Sequence, residues 1–197
     1  MSELQVNTIN ETTAANGVVI DGLKVKDYSL MYGSNIGLTV SSDGYVSKPN
    51  QPAFCVRGSA DQSMVNDGWR IIAFADETTT GLFDSGGDFN TSTYKFVCPV
   101  SGKYQFNIAL SFDNPRAAPE YFGIQISAGG STHSFFAGLL DFGQMNGDPA
   151  YWSTSGSIIL DCSANDEVFW NYIQSSGTDN QTNIRGNDSR FSGFLIG

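Results

Sequence analysis

Three stretches of this chain alternate apolar and polar residues with a period of two, and that pattern leaves little freedom in what the chain can build. Phe191-Ser192-Gly193-Phe194-Leu195-Ile196 is one, and Tyr94-Lys95-Phe96-Val97-Cys98-Pro99-Val100-Ser101-Gly102-Lys103-Tyr104-Gln105-Phe106 is another. Period two sends successive side chains to opposite faces of a strand, so each stretch reads as a strand with one buried face. Pro99 and Gly102 break the second stretch into strand, tight turn and strand. The third, Gly156-Ser157-Ile158-Ile159-Leu160-Asp161-Cys162, passes through Ser163-Ala164-Asn165-Asp166 into Glu167-Val168-Phe169-Trp170-Asn171-Tyr172, a hairpin by its own signals.

The same alternation places strands near Ala53 to Arg57, Trp69 to Asp76, Tyr94 to Cys98, Lys103 to Ser111, Tyr121 to Ala128, Ser134 to Leu140, Ser153 to Cys162, Glu167 to Gln174 and Arg190 to Ile196. Composition agrees. Charged residues make up only 15% against 13% aromatic residues, and there are 22 glycines. That is the make-up of an all-β protein with many turns and a sizeable aromatic core. The net charge of −10 repels phosphate and argues against a nucleic-acid partner. The sequence has no apolar run long enough to insert in a membrane, and its polar, acidic opening does not read as a secretory signal. Cys55, Cys98 and Cys162 are an odd number on separate expected strands, so they read as buried thiols rather than a disulfide framework.

In this order the segments resemble the globular head of complement component 1q, a jelly roll shared with the tumour necrosis factor family. The resemblance runs from Pro52 to Gly197. It rests on a strand of the form Gly-x-Phe-x-Cys-x-x-Pro-Gly-x-Tyr-x-Phe, a Gly-Asp-x-Val hairpin and a terminal Phe-Ser-Gly-Phe-Leu strand. Tyr94 stands where that family has Gly, Ser101-Gly102 replaces Pro-Gly, Asn165-Asp166-Glu167-Val168 fits the hairpin loosely, and Phe191 to Leu195 fits without gaps. The resemblance implies an antiparallel jelly-roll β-sandwich and a homotrimer, preceded here by a short extended β segment.

Residues 1–50 differ from this head, assigned to 51–197. Leu4, Val6 and Ile9 are spaced apolar residues, and Val18 to Asp27 is a second strand-like run after a turn-rich link. Two short strands cannot fold alone in water. Three copies side by side would bury Leu4, Val6, Ile9, Val18, Ile20, Leu23 and Val25, which makes this segment the expected anchor and trimerisation element. Thr8-Ile9-Asn10-Glu11 and Ala15-Asn16-Gly17-Val18-Val19-Ile20-Asp21-Gly22 to Asp27 resemble N-terminal segments of bacteriophage tail-fibre and virion-surface proteins. Tyr28 to Asn50 read as a further segment, with the strand-like Ile36-Gly37-Leu38-Thr39-Val40 and the hairpin turn signal Ser41-Ser42-Asp43-Gly44. Lys48-Pro49-Asn50-Gln51-Pro52 reads as a stiff extended linker.

Chemistry is sparse. His133 is the single histidine, in an expected loop, which removes most triads and histidine-based metal sites. Acids are plentiful, but neighbours such as Asp76 and Glu77 point to opposite faces of a strand. Asp179-Asn180-Gln181-Thr182-Asn183 and Asn187-Asp188-Ser189 are oxygen-rich but lack the spacing of a calcium loop. No cofactor is expected and no catalytic residue stands out. The Ser175 to Ser189 loop and the Asp141 to Trp152 connection are placed at the end of the sandwich far from the N-terminus. Phe142, Tyr151, Trp152, Asn180, Asn183 and Arg185 are there the side chains suited to a partner. The resemblances together point to a non-enzymatic homotrimeric structural protein on a bacteriophage virion surface, a fibre or receptor-binding protein made in the host cytoplasm. Its other partners would be virion proteins through residues 1–50 and a host-surface glycan or protein. A capsid-decoration protein and a polysaccharide-binding or depolymerising module are the competing readings.

Overall fold

The computed structural model describes residues 16–20, 23–115, 121–133, 147, 149–175 and 182–196. The chain divides into two units, Met1–Gln51 and Pro52–Gly197.

In the first unit β1 (Val18–Ile20), β2 (Leu23–Lys26), β3 (Ser29–Tyr32), β4 (Asn35–Val40) and β5 (Val46–Ser47) form one antiparallel meander in sequence order. Residues beyond Tyr28, expected as a separate segment, belong to the same sheet as Val18 to Lys26. Gly44, at φ +83°, closes the Asp43-Gly44 turn, and its N–H donates to the Ser41 carbonyl at 3.0 Å. The linker expected at Lys48 to Pro52 is not extended. Gln51 N–H donates to the Lys48 carbonyl at 3.0 Å, a β-turn with Pro49 at the position where its fixed φ is most favourable.

Register assigns the faces of this sheet. Val18 pairs with Val25, Leu23 with Tyr32, Val25 with Leu30, Leu30 with Leu38 and Val40 with Val46. One face therefore carries Val18, Leu23, Val25, Leu30, Tyr32, Leu38, Val40 and Val46. The other carries Val19, Lys24, Lys26, Ser29, Met31, Ile36 and Thr39, with the Ser29 and Thr39 hydroxyls 3.2 Å apart.

The second unit is a sandwich. Its first sheet contains β6 (Ala53–Arg57), β7 (Gln62–Ser63), β9 (Phe83–Asp84), β12 (Gly102–Asp113), β15 (Tyr151–Cys162), β17 (Asn183–Ile184) and β18 (Arg190–Leu195). Its second contains β8 (Arg70–Ile71), β10 (Phe89–Asn90), β11 (Lys95–Val97), β13 (Tyr121–Ala128), β14 (Ser131–His133) and β16 (Glu167–Ser175). All ladder pairings between strands are antiparallel, and no α-helix occurs among the described residues. The expected strand at Trp69 to Asp76 survives only as Arg70–Ile71. The chain then buries Ile72 and Phe74 as it crosses to the other sheet, where Asp76 bridges to Arg57. His133 lies in β14 and is exposed, not in a loop. The strand expected at Ser134 to Leu140 lies outside the described residues.

Alternating side chains of both sheets meet in an aromatic core. Phe54 of the first sheet stacks on Phe96 of the second at 4.5 Å between ring centroids, and on Phe89 at 5.3 Å. Phe191 meets Phe54 edge-on at 4.8 Å and lies 5.6 to 6.3 Å from Phe74, Phe89, Phe106 and Trp170. Cys98 and Cys162 are buried in the same cluster, where desolvation pushes both thiols up, while Cys55 is half-buried.

Two motif positions acquire a physical reason. Tyr94 precedes β11 at φ +63°, a left-handed conformation unusual for a bulky residue, at the very position where the resembled family has Gly. Asn165 likewise takes the Gly position of the Gly-Asp-x-Val hairpin at φ +71°, which Asn tolerates better than most residues. Asp166 then secures the turn by accepting the Ser163 N–H at 2.8 Å.

Two outcomes are expected. Phe191→Ala empties the point where both sheets meet, and the unfolding free energy falls by about 3–5 kcal/mol, read from the urea midpoint at unchanged slope. The second concerns pH. Asp76 accepts hydrogen bonds from the Thr79 hydroxyl (2.6 Å), Arg57 Nε (2.7 Å) and the Thr78 amide (3.0 Å), which hold its carboxyl well below the usual carboxylate range. A depressed folded pKa stabilises above the unfolded value of about 4 and is lost as pH falls through the folded one. The stability difference between the wild type and Asp76→Asn is therefore expected to shrink when urea unfolding is repeated progressively below about pH 4.

Candidate binding surface

β12 and β15 pair along their whole length, from Gly102 opposite Cys162 to Asp113 opposite Tyr151. At the first of these ends Tyr104 pairs with Leu195, and Ala53, where the chain enters this unit, pairs with Phe194. Asp113 and Tyr151 therefore lie at the far end of the sandwich from Pro52. There β17 and β7 complete the sheet, with Asp113 opposite Asn183 and Asn183 opposite Ser63.

The ladder thus aligns Tyr151, Asp113, Asn183 and Ser63 across four strands on the outer face. Ser63 Oγ donates to Asn183 Oδ1 at 2.8 Å. The Arg185 guanidinium lies over the Tyr151 ring at 5.1 Å and pairs with Asp188 at 2.8 Å. Its backbone is fixed because Arg185 N–H donates to the Ser111 carbonyl at 2.8 Å and the next amide, Gly186 N–H, to Asp61 Oδ1 at 2.9 Å. Gly186 opens a short 3-10 turn, Gly186–Asp188, pressed against Gly58 and Ala60. A Cβ at Gly186 would collide with the Ala60 carbonyl, so only glycine allows this approach.

Of the expected partner-contact residues, Tyr151, Asn183 and Arg185 are brought together. Tyr151 is 64% exposed. Trp152 is not with them: period two turns it inward, opposite Phe112, and it packs against the core. Phe142 and Asn180 lie outside the described residues. Asp113 and Ser63 were not anticipated. Carrying the alternation of β12 two residues past Ser111 finds Asp113, but nothing in the sequence places Ser63 beside it. The assembled group offers an aromatic face, a cation, an amide, a hydroxyl and a carboxylate, the set that stacks on and hydrogen-bonds a polyhydroxylated or polar partner. Among the described residues no group of three or more His, Cys, Asp or Glu could hold a metal ion.

The outer face behind this row is different in character. β15 presents Ser153, Ser155 and Ser157, β12 presents Gln105, Asn107 and Ala109, and β18 presents Ser192. Gln105 Nε2 donates to Ser157 Oγ and to Asn107 Oδ1, each at 3.0 Å. A shallow depression of about 430 Å³ lies among Asn107, Ala109, Ser155, Ser157, Arg190 and Ser192. Toward the Pro52 end Ile159 and Phe194 are 59% and 40% exposed. Small, mostly uncharged side chains with an apolar flank suit close packing against another protein surface.

Among the residues expected to anchor a trimer, Val18 is half-buried, and Leu23 and Val25 are exposed in the first unit. Ile20 lies in β1, and Leu4, Val6 and Ile9 are outside the described residues.

Comparison with known proteins bears on the second unit. A sequence model of the C1q domain matches residues 53–196. The globular domain of zebrafish complement 1qA protein is similar in structure, with a TM-score of 0.52 and 21% identity, over 75% of this chain and 98% of that one. No curated protein matches the chain. The structural likeness is one of fold, with the jelly-roll sandwich derived above, and the sequence match spans well over half of the residues. This chain belongs to the C1q domain family.

Proposed function

We propose that this chain is a non-enzymatic, homotrimeric structural protein of a bacteriophage virion, exposed on the particle surface. Its C1q head attaches to a host-surface glycan or protein, and residues 1–50 serve assembly and anchoring to other virion proteins. The observation that carries the trimer is the outer face of the first head sheet, where small uncharged side chains meet exposed Ile159 and Phe194. C1q domains commonly form trimers, and a face of this kind is what each copy would bury. The virion assignment draws on the tail-fibre-like sequence around Thr8 to Asp27. The attachment role draws on the exposed Tyr151–Arg185 pair and the polar row beside it, which the fold fixes in place without using them in its core.

A capsid-decoration role shares the trimer and differs in copy number, so quantitative mass spectrometry of purified particles separates the two. A few trimers per particle are expected for an attachment protein. A number comparable to the major capsid protein would make the chain a shell decoration, and absence from particles would sink both.

The attachment site has its own test. Among the described residues the Arg185 side chain makes an exposed ion pair and a ring contact, worth about 1 kcal/mol or less each. Tyr151→Ala with Arg185→Ala is therefore expected to leave the melting temperature nearly unchanged and to abolish binding of the purified protein to host cells. Retained binding would rule out this row as the contact site.

A further inference from the structure

The first unit is amphipathic the wrong way round. In a sheet with one protected face, the apolar side chains should be the protected ones. Here Leu23, Val25 and Tyr32 are 48%, 53% and 74% exposed, whereas on the opposite, mixed face Ser29 is only 8% exposed and Lys24, Lys26 and Met31 are half-buried, with Val19 of the edge strand exposed. Leu23, Leu30 and Tyr32, together with Met31 and Ile36 of the opposite face, line a groove of about 280 Å³ on this sheet. The sheet is a single layer among the described residues of its unit, and a lone layer with a bare apolar face is not stable in water.

We infer that this face is an assembly surface whose partner is the same face of other copies of this chain, packed around the threefold axis of the trimer. The inference rests on the trimeric reading of the head. Three observations select a second copy over a foreign partner. First, none of Val18, Leu23, Val25, Leu30, Tyr32 and Leu38 is charged, while Lys24 and Lys26 sit on the opposite face. Like can therefore meet like without repulsion. Second, the face is small. Five strands spaced ~4.8 Å apart and two to six residues long span on the order of 300 Å². That is below the roughly 800 Å² per partner of a free-standing specific interface. Such a face suits partners that are already held together. Third, Gln51 is joined to Pro52 with no residue between the units, so a trimeric head tethers three of these sheets at high effective concentration. β3 is the middle strand of the five, which puts Leu30 and Tyr32 at the centre of the face.

Full-length protein carrying Leu30→Cys in a Cys55→Ser background provides the test, with Lys24→Cys on the opposite face as its control. Light scattering on each variant reports the oligomer independently. The expected result is a trimer in both. A short bismaleimide then links Leu30→Cys chains into dimers and trimers on a denaturing gel, and labelling of that cysteine by a bulky water-soluble maleimide is lost. The Lys24→Cys cysteine stays labelled and unlinked. A trimer in which Leu30→Cys labels as readily as Lys24→Cys and forms no cross-links overturns the sheet interface while leaving the head trimer standing. A monomer in all variants and in the parent chain overturns the trimeric reading and this inference with it.

Discussion

Everything in the head depends on the contact between aromatic rings of its two sheets. Phe54 and Phe191 on one side, and Phe89, Phe96 and Trp170 on the other, interlock with centroid separations of 4.5 to 6.3 Å. Strands as short as β9, β10 and β11 have too few ladder hydrogen bonds to persist alone. They persist because a ring from each strand or its neighbour is fixed in that cluster. Burial of these rings sets the distance between the sheets and the phase of each strand's alternation. A one-residue slip would turn Phe54 or Phe191 outward.

The candidate surface is a product of that phase. Once Phe112 must face the core, Asp113 must face out, and the ladder places Tyr151, Asn183 and Ser63 beside it. Trp152 is spent on the core for the same reason. The aromatic residue available to a partner is thus selected by register, not by residue type. The backbone that carries Arg185 is held by its N–H on the Ser111 carbonyl and by the Gly186 N–H on Asp61, so the base from which the guanidinium reaches Tyr151 is fixed in advance.

The two units solve the problem of an apolar surface differently. The head closes one sheet upon another and leaves outside a mostly uncharged face of small side chains. The N-terminal sheet has no second layer of its own among the described residues and shows its apolar face. Under the trimeric reading both features have one origin, since each unit completes its burial with copies of itself.

Much of the head was legible from sequence because period-two alternation is a local property of long strands. Ala53–Arg57 and Tyr121–Ala128 emerge at their expected bounds, and Lys103–Ser111, Ser153–Cys162, Glu167–Gln174 and Arg190–Ile196 within two residues of them. The terminal Phe-Ser-Gly-Phe-Leu strand and the turn at Asn165 likewise carried the family resemblance. Alternation fails where ladders are short or the chain changes sheets. That is why Trp69 to Asp76 read as one strand, and why Gln62–Ser63, Phe83–Asp84 and Phe89–Asn90 gave no signal. The sequence by itself determined which side chains of each long strand share a face, because that depends only on neighbours along the chain. Only the tertiary structure decided which face is the core, so that Tyr151 looks outward and Trp152 inward, and which strands lie side by side, so that Ser63 meets Asn183. Both depend on pairings between residues far apart in sequence, and no local pattern encodes a partner.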